Sequence, residues 1–578
     1  MAMISSLAVV IVGACLGIVI PAESALAPVS AVLQIATASP NAGAAIFLSS
    51  GTRSAQGGVA APDSEVQISR TPNASAFAAQ AAPVPDVTVD ASQTLSETGG
   101  DDLAAARNIY ASASSPESNG GLSDWSLISS ELAMKRMRII NALGDCALDA
   151  SGTLAGCARL NDSLSHVKQF HLSPHVVVGQ WVPSSIAGNP FQWGAAQWAQ
   201  YDALSRAIVN YVVNEFAGAG FDEALFEVGN ELEITPNARD LWLTTTPFVP
   251  QGDPSRFVQY DTVYSHWAKA VRAVAEQNPA KKIRIAGPAT GLWTVEYAPG
   301  PLWHIRMVQD YAARGLPLDV VSLHIYGFDA SLLAKNAQSI RNTLNASGNS
   351  KAEIWVTEWG ASSSTDSFFG AINASHQGAA WAIYFLLQAL KGGITGGSFL
   401  QIRDNQGADI AGVNSNLYLA SWNHVENRVE YPKPIANAMA MVTRMAGARK
   451  MAATSPAMTD LRVLASSDAR SASVVVANYN YLFDYNNKKY SDLSRDETVT
   501  VAIKNLPFRG PVTVDRYAID AQTSNLNYWV AAGKLPPSLH SVQLQEVESF
   551  KARSKGGVLT LPATQLGPSA VSLWIVHR

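Results

Sequence analysis

The chain has 578 residues, of which 47% are hydrophobic and 15% are charged, so it is long enough for two or more domains with substantial cores. Its net charge of −5 gives no sign of the basic surface that nucleic acids require, and no nucleic-acid partner is expected. Fourteen tryptophans, whose flat rings stack well on sugars, mildly favour a carbohydrate ligand.

The N-terminus predicts export. Leu7–Ile20 is an apolar run of fourteen residues, which is too short to span a bilayer comfortably. The small-x-small pattern Ala25-Leu26-Ala27 follows it, so residues 1–27 have the character of a secretory signal peptide and the protein is expected to be secreted or periplasmic. The alternative is a loose lipoprotein box that ends at Cys15; apart from a lipid anchor there, no membrane association is expected.

A low-complexity stretch comes next. Residues 28–82 are dominated by Ala, Ser, Gly, Pro and Thr and have little to bury, so they are predicted to form a disordered linker. Order is expected from residue 83 onward, where Pro85–Asp90 alternates like a half-buried strand.

The cysteines bear on the compartment. Cys146 and Cys157 enclose a ten-residue loop; in an exported protein they would pair as a disulfide, whereas in a cytosolic protein they would be two free thiols. The sequence has no C-x-x-C motif or His/Cys cluster of the kind that binds structural zinc. No structural metal is therefore expected.

Between residues 83 and 449, short apolar strands alternate with helical stretches, which is typical of a parallel α/β fold. The count of eight strands predicts a (β/α)8 TIM barrel over 83–449. The predicted strands are Asn108–Ala111, Arg136–Ile140, His175–Gly179, Leu225–Val228, Lys282–Gly287, Asp319–His324, Glu353–Gly360 and Ser398–Ile402. The predicted helices are Ser126–Met134, Asp162–Phe170, Ala199–Gly218, Asp261–Gln277, His304–Arg314, Leu332–Ser347, Ala374–Lys391 and Pro434–Met445.

The pattern changes at about Lys450. Residues 450–578 contain short, alternating, turn-bounded segments and are predicted to form a β-sandwich, into which the strand near Val87 could also pair. The segments are Leu461–Leu464, Ser473–Asn478, Glu497–Ile503, Val512–Tyr517, Val558–Leu561 and Val571–His577.

Two glutamates stand at the ends of predicted strands. Glu231 follows the fourth strand in ALFEVGNELE, and Glu358 ends the seventh in EIWVTEWG. Reactive groups of a (β/α)8 barrel stand at the C-terminal ends of its strands, and glycosidic-bond hydrolysis uses two carboxyl groups placed in this way. The alternative for either residue alone is a structural salt bridge.

The motifs resemble those of clan A glycoside hydrolases, and most closely glycoside hydrolase family 39, which contains β-xylosidases and α-L-iduronidases. The resemblance covers roughly Pro83–Arg578 and rests on FEVGNELE, IRIAGPATG, SLHIYG, IWVTEWG and KPIANAMAMVTRMAG in this order. It implies a retaining enzyme that needs no cofactor. The chain differs from the family at one motif: the family usually has NEPN, and this chain has Asn-Glu-Leu-Glu at 230–233.

The resemblance also implies roles for individual residues. Glu231 would be the acid/base and Glu358 the nucleophile, while Asn230 would bind the sugar 2-hydroxyl. His324 and Tyr326 would line the pocket beside the nucleophile.

Three further residues are candidates for substrate binding on position alone. Trp181 follows the third strand and would stack on a sugar or pack in the core, and Trp359 stands beside the predicted nucleophile. Arg403, after the eighth strand, could bind a uronate carboxylate, but a salt bridge with Asp404 is the favoured interpretation.

We therefore predict an exported retaining glycoside hydrolase that cleaves O-glycosidic bonds and is xylosidase-like or uronidase-like. Its two carboxyl groups should lie about 5–5.5 Å apart, whereas a separation above about 6.5 Å would favour inversion. The alternatives are a non-catalytic carbohydrate-binding or matrix protein on a barrel scaffold, and a heparanase-like β-glucuronidase of the same clan. A metal-dependent amidohydrolase would need a His-x-His pair on the first strand, which NIYA lacks.

Overall fold

The structure is a computed structural model, and its described part lies within one compact unit, Ala79–Arg578. The predicted signal peptide, the linker and Cys15 fall outside the described residues. Those residues are 86–114, 124–180, 183–188, 190–216, 223–233, 254–291, 303–327, 329–362, 372, 374–403, 418–423, 426–455, 460–484 and 489–578. None of the helices among them is long and apolar enough to cross a membrane.

The strands are numbered in chain order. The first eleven are β1 (Val87–Leu95), β2 (Ser112–Ser114), β3 (Arg136–Ile139), β4 (Ala147–Leu148), β5 (Leu154–Ala155), β6 (Ser173–Val178), β7 (Glu223–Val228), β8 (Lys282–Gly291), β9 (Val320–Tyr326), β10 (Glu353–Gly360) and β11 (Gly396–Gly397). The others are β12 (Gln401–Arg403), β13 (Tyr418–Asn423), β14 (Arg428–Pro432), β15 (Arg449–Thr454), β16 (Leu461–Ser467), β17 (Ser471–Asn478), β18 (Tyr481–Asp484), β19 (Lys489–Asp492), β20 (Glu497–Val499), β21 (Val501–Lys504), β22 (Pro511–Ile519), β23 (Gln545–Arg553), β24 (Val558–Thr560), β25 (Thr564–Leu566) and β26 (Val571–His577).

The helices pack mainly around the eight-stranded sheet described below. They are α1 (Asp102–Tyr110), α2 (Ser126–Glu131), α3 (Ala158–Gln169), α4 (Ala195–Asn210), α5 (Pro254–Gln277), α6 (Trp303–Arg314), α7 (Ser331–Ala346), α8 (His376–Lys391), α9 (Pro434–Arg444) and α10 (Leu526–Ala531). Helix α4 continues as a π-helical turn over Tyr211–Phe216.

Eight parallel strands form the barrel, in the spatial order β11-β10-β9-β8-β7-β6-β3-β2. The ring closes through a bridge between Ala113 and Phe399, where the Phe399 amide donates to the Ser112 carbonyl at 2.9 Å. The strands are apolar on the face toward the helices, as their continuous burial requires. The predicted TIM barrel is thereby confirmed.

The predictions for the first and last barrel strands were wrong. Asn108–Ala111 is the end of helix α1 and the residue after it, and the strand is Ser112–Ser114. The reason is that Leu103, Ala106 and Ile109, all fully buried, recur at helical spacing. The last strand is Gly396–Gly397 instead of Ser398–Ile402: a Cβ on Gly396 would lie 2.5 Å from the Trp355 ring, so the close approach there requires glycine.

Charged and aromatic side chains fill the N-terminal end of the barrel. Trp355 lies in an interior cluster with Leu225, Ala286 and Val320. The guanidinium of Arg284 lies 5.2 Å from its ring centroid and is ion-paired to Glu223 and Glu353. Because this end of the barrel is closed by packed side chains, a site must lie at the opposite, C-terminal end.

The second large sheet has nine strands, in the order β23-β22-β26-β17-β16-β15-β1-β21-β24. Together with the small β20-β25 pair it confirms the β-sandwich expected from the C-terminal pattern. Strand β1 pairs with β15 and β21 in this sheet, so the range 83–449 expected for the barrel begins with a strand of the sandwich. Strand β23 was not predicted; its residues are mostly exposed on both faces, so it lacks the alternation that marks a half-buried strand.

A short antiparallel pair, β4 and β5, precedes α3. Cys146 and Cys157, the two cysteines expected to pair, flank it and are joined by a disulfide with Cα atoms 4.3 Å apart. Both cysteines are buried.

Candidate active site

A buried arginine connects three residues at the C-terminal end of the barrel. Arg138, near the end of β3, donates from Nε to Glu227 Oε2 at 2.6 Å, from Nη1 to Glu358 Oε1 at 2.7 Å and from Nη2 to Asn230 Oδ1 at 2.8 Å. Its side chain has no exposed surface. A guanidinium offers its donors in a rigid plane, so Arg138 fixes the positions of side chains from β7 and β10 relative to each other.

The turn after β7 positions Glu231. Gly229 has φ of +83° and Glu231 has φ of +51°, so two residues close together adopt the left-handed conformation that sharp turns use. The Glu231 amide donates to the Ala289 carbonyl at 2.9 Å, and Glu233 Oε1 accepts from the Gly291 amide at 2.6 Å. The turn is thus held to the end of β8, and the Glu231 side chain remains 24% exposed.

A β-bulge orients Glu358. Along β9 and β10, Val356 pairs with Leu323 and Glu358 with His324, which leaves Thr357 as the extra residue. Such bulges often turn a side chain toward a site. The Glu358 side chain is only 6% exposed, and the Tyr326 hydroxyl donates to its Oε2 at 3.0 Å.

His324 lies between the two glutamates. Its Nδ1 is 2.9 Å from Glu231 Oε1 and 3.7 Å from Glu358 Oε2, and the ring is fully buried. Burial disfavours the imidazolium, but the carboxylates of Glu358 and Glu231 outweigh it and raise the pKa of His324. The ring therefore lies between the two carboxyl groups and is within hydrogen-bond distance of Glu231.

The two glutamates are close together. One oxygen of Glu231, one of Glu358 and a ring nitrogen of His324 all lie within 4.8 Å of one another. This is the one group of three His, Cys, Asp or Glu side chains in the described part of the chain that could share a metal ion. Glu358 already has a buried cationic partner in Arg138, 2.7 Å away, and His324 contacts Glu231 at 2.9 Å.

Five of the predicted site residues are brought together here: Asn230, Glu231, His324, Tyr326 and Glu358. Trp181 and the side chain of Arg403 lie outside the described residues.

Trp359 is not at the site, and its prediction as a substrate-binding residue is corrected. It is fully buried and stacks on Phe385 of α8 with ring centroids 4.6 Å apart. Its ring belongs to the core between the strands and the helices, because side chains of neighbouring strand residues point to opposite faces.

Sequence analysis missed Arg138 and Glu227. Arg138 lies in RMRII, which also contains Arg136, and Glu227 lies in the otherwise apolar segment ALFEV. A charged side chain inside a strand that is buried on both faces needs a partner. The presence of a charged residue in such a strand was therefore the sequence feature that could have identified Arg138 and Glu227.

No protein-family model matches the chain, and no curated protein matches it either. Solved structures do. The enzyme of glycoside hydrolase family 39 from Xanthomonas axonopodis pv. citri superposes with a TM-score of 0.61 at 16% identity, over 86% of this chain and 98% of that one. The monomeric β-xylosidase from Caulobacter crescentus CB15 gives 0.61 at 16%, over 85% and 99%. A bacterial orthologue of human α-L-iduronidase gives 0.60 at 12%, over 85% and 83%.

The fold is therefore that of the glycoside hydrolases with a (β/α)8 barrel and a β-sandwich. Within that class, the likeness to family 39 inferred from the motifs is confirmed for the fold, since structures of that family cover 85% and 86% of this chain.

Proposed function

We propose that the protein is an exported retaining glycoside hydrolase that acts by double displacement. The observation that carries this proposal is the separation of Glu231 and Glu358, whose nearest assigned oxygens lie within 4.8 Å. Retaining glycosidases hold their two carboxyl groups about 5–5.5 Å apart, whereas inverting enzymes leave about 6.5–9.5 Å for a water molecule.

The contacts support distinct roles for the two glutamates. Both oxygens of Glu358 are held, one by Arg138 and one by Tyr326, so the carboxylate is oriented before a sugar arrives. Glu231 is more exposed, as a group that must reach a leaving oxygen and later a water molecule requires.

In the first step a Glu358 oxygen bonds to the anomeric carbon, the glycosidic C–O bond breaks, and Glu231 gives its proton to the leaving oxygen. In the second step Glu231 takes a proton from water, the water oxygen bonds to the anomeric carbon, and the glycosyl ester to Glu358 breaks. Each carboxyl group then regains its starting state, and no cofactor enters the reaction.

Asn230 supports recognition of the sugar. Its Oδ1 accepts from Arg138, which fixes the amide orientation and leaves Nδ2 free to donate. A sugar hydroxyl beside the anomeric carbon is the fitting acceptor, so we assign Asn230 to the 2-hydroxyl.

We favour a neutral pentoside-like substrate over a uronate. Among the described side chains around the two glutamates, the cations are Arg138 and His324, and both are already paired with carboxylates. A uronate would bring another negative charge, which these groups do not accommodate. The comparisons include both a β-xylosidase and an iduronidase orthologue, and the xylosidase-like alternative fits the charge better.

Export is part of the proposal. The buried Cys146–Cys157 disulfide supports an oxidising compartment, as does the predicted signal peptide over residues 1–27. A non-catalytic carbohydrate-binding protein remains the second candidate, but such a protein would not need Glu231 and Glu358 within 4.8 Å of each other, where like charges repel.

The test is hydrolysis of aryl α- and β-glycosides that carry xylose, arabinose, glucose, glucuronate or iduronate. We expect a xyloside or arabinoside to be cleaved with retained configuration. Glu358→Ala should lose activity and, with azide, give a glycosyl azide of inverted configuration, whereas Glu231→Ala with azide should give one of retained configuration.

Glu276→Ala, on the exposed surface of α5, is the matched control and should keep full activity. Turnover of no aryl glycoside and no polysaccharide by the folded protein would support the binding-protein alternative instead.

A further inference from the structure

We propose that Glu227 is a positioning residue that sets how strongly Arg138 holds the nucleophile, and thereby how readily Glu358 attacks the sugar. The inference rests on the proposed function and deepens it, because Glu227 has no contact with Glu358 of its own and acts through the shared guanidinium.

The geometry places one buried cation between two buried carboxylates. Arg138 contacts Glu227 at 2.6 Å and Glu358 at 2.7 Å, and the side chains of Arg138 and Glu227 have no exposed surface. Glu227 lies four positions before Glu231 on the same chain segment, inside the barrel and below the turn that presents the acid/base.

Charge sharing follows from this arrangement. Buried charges are poorly screened by solvent and salt, so Glu227 competes with Glu358 for the same guanidinium. Without the charge of Glu227, Arg138 would stabilise the Glu358 carboxylate more strongly. Glu358 would then be a weaker nucleophile in the first step and a better leaving group in the second. Glu227 thus favours the rate of the first step of the reaction and lowers the rate of the second.

Glu227 is ionised in the folded protein. Burial opposes its ionisation, but the attraction of Arg138 and the hydrogen bond from His175 outweigh burial and hold the pKa of Glu227 well below its usual value. Glu227 is therefore a carboxylate throughout the range in which glycosidases work, and its competition with Glu358 persists.

His175 modulates the competition from the other side. Its Nε2 lies 3.1 Å from Glu227 Oε2, and burial lowers the pKa of this histidine, so the neutral ring donates its Nε2–H to the carboxylate. This donor withdraws charge from Glu227 and so weakens its hold on Arg138. Removing this donor should weaken the hold of Arg138 on Glu358, whereas removing the charge of Glu227 should strengthen it.

All charged groups that face Glu358 in the described structure are accounted for. Arg138 approaches from β3, His324 and Tyr326 from β9, and Glu231 from the turn after β7. Glu227 and His175 are the next groups outward: Glu227 contacts Arg138 and also attracts His324, and His175 contacts Glu227.

The test compares wild type with Glu227→Gln, Glu227→Asp and His175→Leu. In Glu227→Gln we expect kcat/KM for an aryl glycoside to fall about 10–100-fold and its acidic limb to move to lower pH by about half a unit or more. The limb should move to higher pH in His175→Leu and stay near wild type in Glu227→Asp. His175→Gln, which keeps a donor near the Nε2 position, should restore the wild-type profile.

A second readout needs no substrate. In protein labelled with 13C at the glutamate side-chain carboxyl, the resonance lost in Glu358→Gln identifies Glu358, and its titration midpoint should move in the same directions. Lower activity with an unmoved midpoint and acidic limb in the folded Glu227 and His175 variants would reduce both residues to structural support and overturn the proposal. If wild type had no glycosidase activity but the titration midpoint of Glu358 still moved in the variants, the result would count against the proposed function alone.

Discussion

At the scale of single residues, the site depends on Arg138 as much as on the two glutamates. Taking one charge out of water costs several kcal/mol, and only partners with good geometry offset it. Arg138 has three such partners, on β7, on β10 and in the turn after β7, so the barrel interior contains an ion network instead of an apolar layer at this level.

A second buried histidine makes stability depend on pH. His304, at the start of α6, is 1% exposed, and its Nε2 lies 2.7 Å from Thr290 Oγ1. Burial lowers the pKa of His304 to about 4, against about 6.5 in the unfolded chain. The unfolded chain therefore binds the proton more readily, so the contribution is fully present above pH 6.5 and is lost as pH falls toward 4.

We expect His304 to account for about 3 kcal/mol of the acid-induced loss in unfolding free energy. Urea unfolding at pH 7 and pH 4 would measure it: His304→Gln should show a smaller decrease than wild type, while His540→Gln, at an exposed position, should match wild type. Equal decreases in all three proteins would contradict the assignment.

The residues of the site were predictable to different degrees. Asn230 and Glu231 come just after one strand and Glu358 lies near the end of another, so all three could be placed from strand order alone. Arg138 and Glu227 could not, because a strand pattern shows that a charge is buried without showing which other strand supplies its partner. Trp359 was misplaced because proximity to Glu358 in the chain does not mean the same face of a strand.

At the scale of elements, sequence periodicity predicted the central barrel strands. It failed at the seam, where the first and last strands of the barrel, β2 and β11, meet. Strand β10 has the predicted bounds, Glu353–Gly360, and the apolar run Ile354–Val356 lies inside it. Strands β2 and β11 are three and two residues long, which is too short for any periodicity. Backbone packing against neighbouring side chains determines them instead.

Gly396 gives a test of this seam. An alanine Cβ there would lie 2.5 Å from the Trp355 ring, which is wedged among buried neighbours. We expect Gly396→Ala to lower the free energy of unfolding by about 1–3 kcal/mol through overpacking, measured by urea denaturation.

Gly100→Ala is the matched control, since no atom lies within 4 Å of its added Cβ; it should change stability by no more than about 0.5 kcal/mol. Similar values for the two variants would show that the seam tolerates a side chain.

At the scale of the whole molecule, the barrel and the sandwich share a core. One continuous apolar cluster includes barrel helix residues such as Trp381 and Met439 together with Leu464, Val475 and Leu573 of the nine-stranded sheet. Two domains joined in this way should unfold together, unlike domains that meet through a small polar interface.

We therefore expect a chain ended after residue 449 to be insoluble or molten, and wild type to unfold in one calorimetric transition. The test is expression of the truncated chain with circular dichroism and limited proteolysis, beside calorimetry of the full chain. A soluble, protease-resistant truncated barrel would show that the shared cluster is dispensable.

The position of β1 also constrains the order of events during synthesis. Val87–Leu95 leaves the ribosome before the barrel, yet its neighbours in the sheet, Arg449–Thr454 and Val501–Lys504, emerge after it. At usual elongation rates the wait is on the order of tens of seconds, during which both edges of β1 lack their native partners. The nascent chain must therefore carry this unpaired strand through the synthesis of the eight barrel strands, and the nine-stranded sheet can be completed only after β26 has emerged.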